Sequence, residues 1–181
     1  MVEKRIHILG ASGSGTTTLG RLLSQRLDIP HFDSDNYFWM ETKIPFTEKR
    51  EIRLRQAMLK TDLEGKSEWV LSGALVGWGE FTIPYYTLVV FLLLSPTIRL
   101  QRLKEREVER YGIDAISPGG YFYENHQDFM EWAVGYDDPE FTQRSRVMHE
   151  RWLATIPCPV LRLDSQERPE RLVDKVVSIL E

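Results

Sequence analysis

Cysteine is nearly absent from this sequence: Cys158, between Pro157 and Pro159, is the one example in 181 residues. A single thiol excludes an internal disulfide framework and a cysteine-ligated zinc cluster. Long hydrophobic runs are missing as well. The most apolar stretch, LVVFLLL from Leu88, falls far short of the ~20 residues that span a bilayer. Nor is there a basic excess: 23 Lys and Arg against 27 Asp and Glu leave a formal charge of -4, which argues against a general nucleic-acid surface. The histidines lack metal-ligand spacing. His7 alternates with Ile6 and Ile8 and reads as a satisfied core residue, whereas His126 and His149 read as surface. No internal repeat, low-complexity tract or interdomain linker interrupts the chain. MVEKRIHILG enters a strand pattern directly, without an apolar signal region. The expectation is one cytoplasmic domain over residues 1–181, a monomer or homodimer, with neither a membrane nor a nucleic acid as partner.

What the chain does contain is an alternation of strand and helix patterns. Arg5–Leu9 is strand-like, and Thr16–Asp28 places Leu19, Leu22, Leu23 and Leu27 on one helical stripe. Ile29–Asp33 reads as a short second strand. Thr47–Glu64 reads as a helix with Ile52, Leu59 and Leu63 on one side and Gly65 as its stop. Trp69–Ser72 is a third strand, and Leu88–Leu94 a fourth, apolar throughout as in a parallel sheet covered on both faces. Ser95-Pro96 begins a helix that runs to about Tyr111. Pro139 begins another to about Ile156, Pro159–Leu163 is a fifth strand, and Pro169–Leu180 a closing helix. Such alternation predicts an α/β fold with a parallel sheet. Gly112–Asp138 has no clear period and is long for a structureless connection, which marks it as a functional lid or a disordered loop.

Glycine is dense in one place only, GASGSGTTTLG from Gly10, directly behind the first strand. A glycine-rich turn between strand and helix lets backbone N–H groups converge on a phosphate, and the helix adds its positive end. The pattern G-x-x-x-x-G-K-[ST] fits as Gly10, Ala11, Ser12, Gly13, Ser14, Gly15, with Thr17 on the hydroxyl position that holds Mg²⁺. Thr16 stands where the lysine belongs. Two other readings compete. Gly10, Gly13 and Gly15 also match a dinucleotide-binding turn, with Asp33 at about the distance of a ribose-binding acid. A glycine-rich turn with no ligand is the third.

With the acidic pair of HFDSDNYF added, the chain resembles the small-molecule and nucleoside-monophosphate kinases of the P-loop class: adenylate, shikimate and gluconate kinases. The resemblance implies a three-layer fold with a five-stranded parallel sheet in the order 2-3-1-4-5, a lid insertion at 112–138, and ATP and Mg²⁺ as cofactors. It implies binding of the nucleotide by the loop from Gly10 through Thr16, Thr17 and Thr18. By the same resemblance Asp33 supports the metal together with Thr17, and Asp35 contacts the acceptor hydroxyl. Residues two apart in an extended segment share a face, so both carboxylates can look into one cleft.

SPTIRLQRLKERE is similar to the segment entering the lid of adenylate kinases, which places Arg102 on the adenine and Arg106 on the phosphates. Arg99, Arg102, Arg106 and Arg110 are three or four apart, so one helical stripe can carry them. DDPEFTQRSRVMHE is similar to the end of that lid. Gapless matching puts Arg146 on the phosphate-contacting arginine, with Arg144 on a different face and not its equal. Two departures stand out. The loop lysine is absent, and SGALVGWGE after the third strand carries neither the arginine of nucleoside-monophosphate kinases nor the triple glycine of shikimate kinases. The resemblance therefore implies a phosphotransferase acting on a nucleotide and a small-molecule acceptor, and leaves the acceptor open. The missing lysine keeps a second reading alive, a nucleotide-binding regulatory protein with little turnover, and a nicotinamide-dependent reductase stands behind it. Tyr37, Phe38, Trp39, Trp78 and Phe81 are candidates for an aromatic acceptor wall or for core.

Overall fold

A computed structural model describes residues 3–180. Strand β1 (Arg5–Gly10) lies at the centre of a sheet ordered β2-β3-β1-β4-β5, with β2 at His31–Asp33, β3 at Trp69–Ser72, β4 at Leu88–Leu93 and β5 at Val160–Asp164. Every pairing is parallel. β3 and β4 are apolar and buried almost throughout because helices cover both faces. On one face Ile6, Ile8, Val90 and Leu92 pack on α1 (Thr16–Leu27) and α8 (Pro169–Leu180). On the other, Leu9, Leu71, Val89 and Phe91 meet Leu59 of α3 (Ile52–Leu63) and Trp152 and Leu153 of α7 (Arg146–Leu153). β1 is flanked by β3 and β4, so the C-terminal edge of the central strands holds the crevice where such sheets take ligands.

Three stretches differ from the pattern-based expectation. The helix expected from Thr47 begins at Ile52. Residues 39–50 instead double back, with Trp39 bridged to Lys49 and backbone bonds Met40 N to Glu48 O and Arg50 N to Phe38 O. Of the expected stripe, Leu59 is fully buried while Ile52 is 47% exposed. The helix expected from Pro139 begins at Arg146, where the Ser145 hydroxyl caps it by accepting from Met148 N. The stretch 112–138 is helical rather than irregular. Gly112, at φ 84, ends α4 (Pro96–Tyr111) and opens α5 (Ile113–Ile116), and α6 (Tyr123–Gly135) packs back on α4. Ala115, Ile116 and Phe122 form a small cluster with Ile44, Val108 and Tyr111. The helical period of α6 is masked because its buried side includes His126 beside Ala133.

The histidines also need correction. His126 and His149 are buried, not superficial. His126 faces Glu107 at 3.6 Å, and His149 Nδ1 is hydrogen-bonded to the Tyr136 hydroxyl at 2.9 Å. His7 is core, as the alternation predicts, but only half satisfied: Nδ1 donates to Leu71 O at 2.9 Å and Nε2 has no partner among the described residues.

Candidate active site

The loop after β1 is held open by glycine. Gly13 and Gly15 have φ of 86° and 92°, a region that side chains rarely occupy. A Cβ on Gly13 would also lie 2.9 Å from Arg99 O, so α4 presses on the loop from behind. Gly15 starts α1 without any side-chain cap and with no acidic residue in the first turn. The first N–H groups of a full-length helix are thus left free and point at the crevice. Ser14 Oγ is buried under the loop against Gly10, without a partner among the described residues. Thr16 is half-buried; Thr17 and Thr18 are exposed.

Thr17 faces the acidic pair. Its hydroxyl donates to Asp33 Oδ2 at 2.6 Å. The other Asp33 oxygen accepts from Asp35 N at 3.0 Å and so caps the short helix α2 (Ser34–Phe38). Ser72, at the end of β3, donates to the same Oδ2 at 3.2 Å, and His31 Nε2 bonds to Ser72 Oγ at 2.9 Å. Asp35 opens into the cleft. Its carboxyl is raised above the usual range, first by loss of water and then by Asp33, while Arg144, Arg106 and Arg110 pull the other way.

Those three arginines lie close enough for their charges to act on Asp35. Arg144 Nη2 donates to Ser12 Oγ at 3.0 Å, and its guanidinium lies 4.7 Å from the Trp132 ring centre. Arg106 lies 5.9 Å from Phe129, which stacks on Trp132. Arg110 sits 4.0 Å over Phe46. Burial weakens the charged form of both Arg106 and Arg144, and Asp35 supports it. The Nε atoms of Arg106 and Arg144 are buried and unpartnered among the described residues. A desolvated cation with spare donors is costly unless something anionic completes it.

The structure therefore brings Thr17, Asp33, Asp35, Arg106 and Arg144 to one cleft. It does not bring Arg146. That side chain is exposed and lines a separate recess of about 340 Å³ with Ala11, Ser95, Tyr136, Asp164 and Gln166, at the ends of β1, β4 and β5. The arginine stripe of α4 also divides. Arg99 is buried against Asp137 at 2.8 Å and Ala133 O at 2.9 Å, Arg102 reaches Ser165 O at 3.3 Å, and Arg106 and Arg110 face the cleft. Tyr37 and Trp78 belong to the core rather than to an acceptor wall, with Phe81 packed against them. The dinucleotide reading fails on topology, since β3 lies between β1 and β2, whereas that fold pairs β1 with β2 directly.

His31, Ser72, Phe129 and Trp132 were not singled out by sequence reasoning. For His31 a signal exists: it precedes Asp33 by two residues in a strand, so the two share a face. Ser72, in a neighbouring strand, has none.

Comparison with known proteins agrees with this geometry. The AAA_18 family, described as an AAA domain, matches residues 6–128. The Bacillus subtilis (strain 168) protein YqaC, itself uncharacterized, is 46% identical over 179 residues, covering 99% of this chain and 98% of YqaC. A shikimate kinase of Dechloromonas aromatica (strain RCB) is 30% identical over 122 residues, 56% of this chain and 61% of that protein. The structure of shikimate kinase from Acinetobacter baumannii in complex with shikimate superimposes with a TM-score of 0.58 at 19% identity, over 98% of this chain and 93% of that one. With its loop, sheet order and helical layers shared with these proteins, the chain belongs to the AAA_18 family and has the fold of the P-loop small-molecule kinases.

Proposed function

We propose that the chain is an ATP- and Mg²⁺-dependent phosphotransferase that moves a γ-phosphoryl group to a hydroxyl of a small-molecule or nucleotide acceptor. The residues suit both partners. The open loop at Gly13 and Gly15 offers backbone N–H groups to phosphate oxygens. Thr17 and Asp33 offer one hydroxyl and one carboxylate, a set that suits Mg²⁺ completed by phosphate and water oxygens. When bound, the metal neutralises charge on the phosphates. The chain's own residues orient and stabilise: Asp35 aligns the acceptor hydroxyl and takes its proton, and Arg102 sides with the nucleotide near the loop after β5.

The observation that carries the reading is Arg144. The loop position that lacks its lysine, Thr16, lies in a loop already touched from across the cleft by this guanidinium. Arg144 and Arg106 thus take the role expected of the lysine, and Arg146 lines the nucleotide-side recess. Residues 112–138 act as a lid, since α6 supplies the aromatic rings that brace both arginines. No helix among the described residues is long and apolar enough to cross a membrane, in keeping with a cytoplasmic setting. The test is turnover against a panel of hydroxylated acceptors. Arg144→Ala is expected to slow transfer about a hundredfold with little loss of nucleotide affinity, because charge on the transferring group peaks in the transition state. Arg146→Ala is expected to change kcat less than tenfold. A wild type inert toward every acceptor, with Thr16→Lys active, would replace this reading by a regulatory nucleotide binder.

A further inference from the structure

Asp33 is held by more than its neighbours in the loop. Three hydrogen bonds fix its carboxylate plane: Thr17 Oγ1 at 2.6 Å and Ser72 Oγ at 3.2 Å on Oδ2, and Asp35 N at 3.0 Å on Oδ1. A serine hydroxyl has one proton. With that proton given to Asp33, Ser72 can only accept from His31, so His31 carries its hydrogen on Nε2. The imidazole is itself clamped. It lies against Gly20 of α1, where any Cβ would run into Nε2 and come within 2.9 Å of Cδ2. A side chain at position 20 would push the ring off Ser72, so α1 and β2 are packed around this one orientation.

We infer that His31 is a positioning residue for the cation site: through Ser72 it sets the direction of the Asp33 carboxylate toward Thr17. The inference rests on the kinase reading above and adds a residue to it. His31 touches neither the loop nor the cleft; it acts two hydrogen bonds away. Carboxylates that receive cations owe part of their affinity to such supporting bonds, commonly 10–100-fold on removal. Freed of its donor, the Ser72 hydroxyl can rotate, and Asp33 loses one of its fixed partners.

The experiment is calorimetric titration of the protein with ADP at a series of Mg²⁺ concentrations and in EDTA, beside thermal melts. His31→Leu is expected to raise the Mg²⁺ concentration for half-maximal ADP binding about tenfold or more, with ADP affinity in EDTA unchanged. His31→Gln, whose amide N–H can reach Ser72, is expected to restore most of the Mg²⁺ response, which mere space-filling would not require. Ser72→Ala is expected to reproduce His31→Leu and supplies the test if the leucine variant does not fold. An unaltered Mg²⁺ response in His31→Leu or Ser72→Ala, or equal damage in His31→Gln and His31→Leu, would overturn the inference. Wild-type ADP binding that ignores Mg²⁺ would instead sink the kinase reading on which it stands.

Discussion

Acidification tests the packing beneath the sheet. His7 and His149 are fully buried on the face covered by α7, beside Tyr86, Trp152 and Phe91. Loss of water lowers His7 to about 4. Loss of water and the charge of Arg144 lower His149 to about 3. In the unfolded chain both return to about 6.5. At pH 5 the unfolded state therefore binds two protons that the folded state refuses, and stability falls as pH drops below 6.5. The loss ends once pH passes below the folded values. Between pH 7 and 5 each histidine costs roughly 2 kcal/mol, set almost wholly by the unfolded side, so about 4 kcal/mol together. With a urea dependence of roughly 2 kcal/mol per molar, the unfolding midpoint should drop by about 2 M. Tryptophan fluorescence reports the transition, since Trp69 and Trp152 lie in the same cluster. His7→Phe keeps a ring against Tyr86 and should remove about half of the pH dependence. Asp35, raised in the folded state, acts in the opposite direction. A midpoint that moves by less than about 0.5 M, or a His7→Phe variant with the full pH slope, would refute the reasoning.

Two further predictions concern the cleft. Gly13→Ala combines a forbidding φ with a Cβ 2.9 Å from Arg99 O, so it should abolish the ATP–Mg²⁺ thermal shift and lower the melting temperature by several degrees; an unchanged ATP shift would remove the loop from the nucleotide site. Because the Asp35 carboxyl is raised, transfer should fall as pH drops through a value above the ordinary aspartate range, and a pH–kcat profile of Asp35→Asn should lack that limb.

The fold was readable because its signals are local. The apolar run at Leu88 and the glycine turn behind Arg5–Leu9 each specify their own structure, and the sheet order came with the family resemblance. What was not readable depends on partners distant in the chain. Thr47–Glu51 reads as helix until Trp39 pairs with Lys49, and α6 hides its period because His126 buries itself against Glu107. The same division runs through the site. Thr17 follows from the loop pattern and Asp33 and Asp35 from the kinase resemblance, and the structure gathers them. The family matching favours Arg146, whereas it is Arg144 that faces Ser12, 132 positions away, a contact that no local pattern announces.

Ile44 is drawn into the cluster of Ala115, Ile116 and Phe122, Tyr111 donates its hydroxyl to Pro45 O, and Arg110 covers Phe46. The turn beyond α2 and the start of the stretch 112–138 are thus latched to the same end of α4. Separating them would uncover Ile44 at a cost of roughly 2 kcal/mol, before the hydrogen bond is counted. A substitution that loosens one of these two segments is therefore expected to loosen the other.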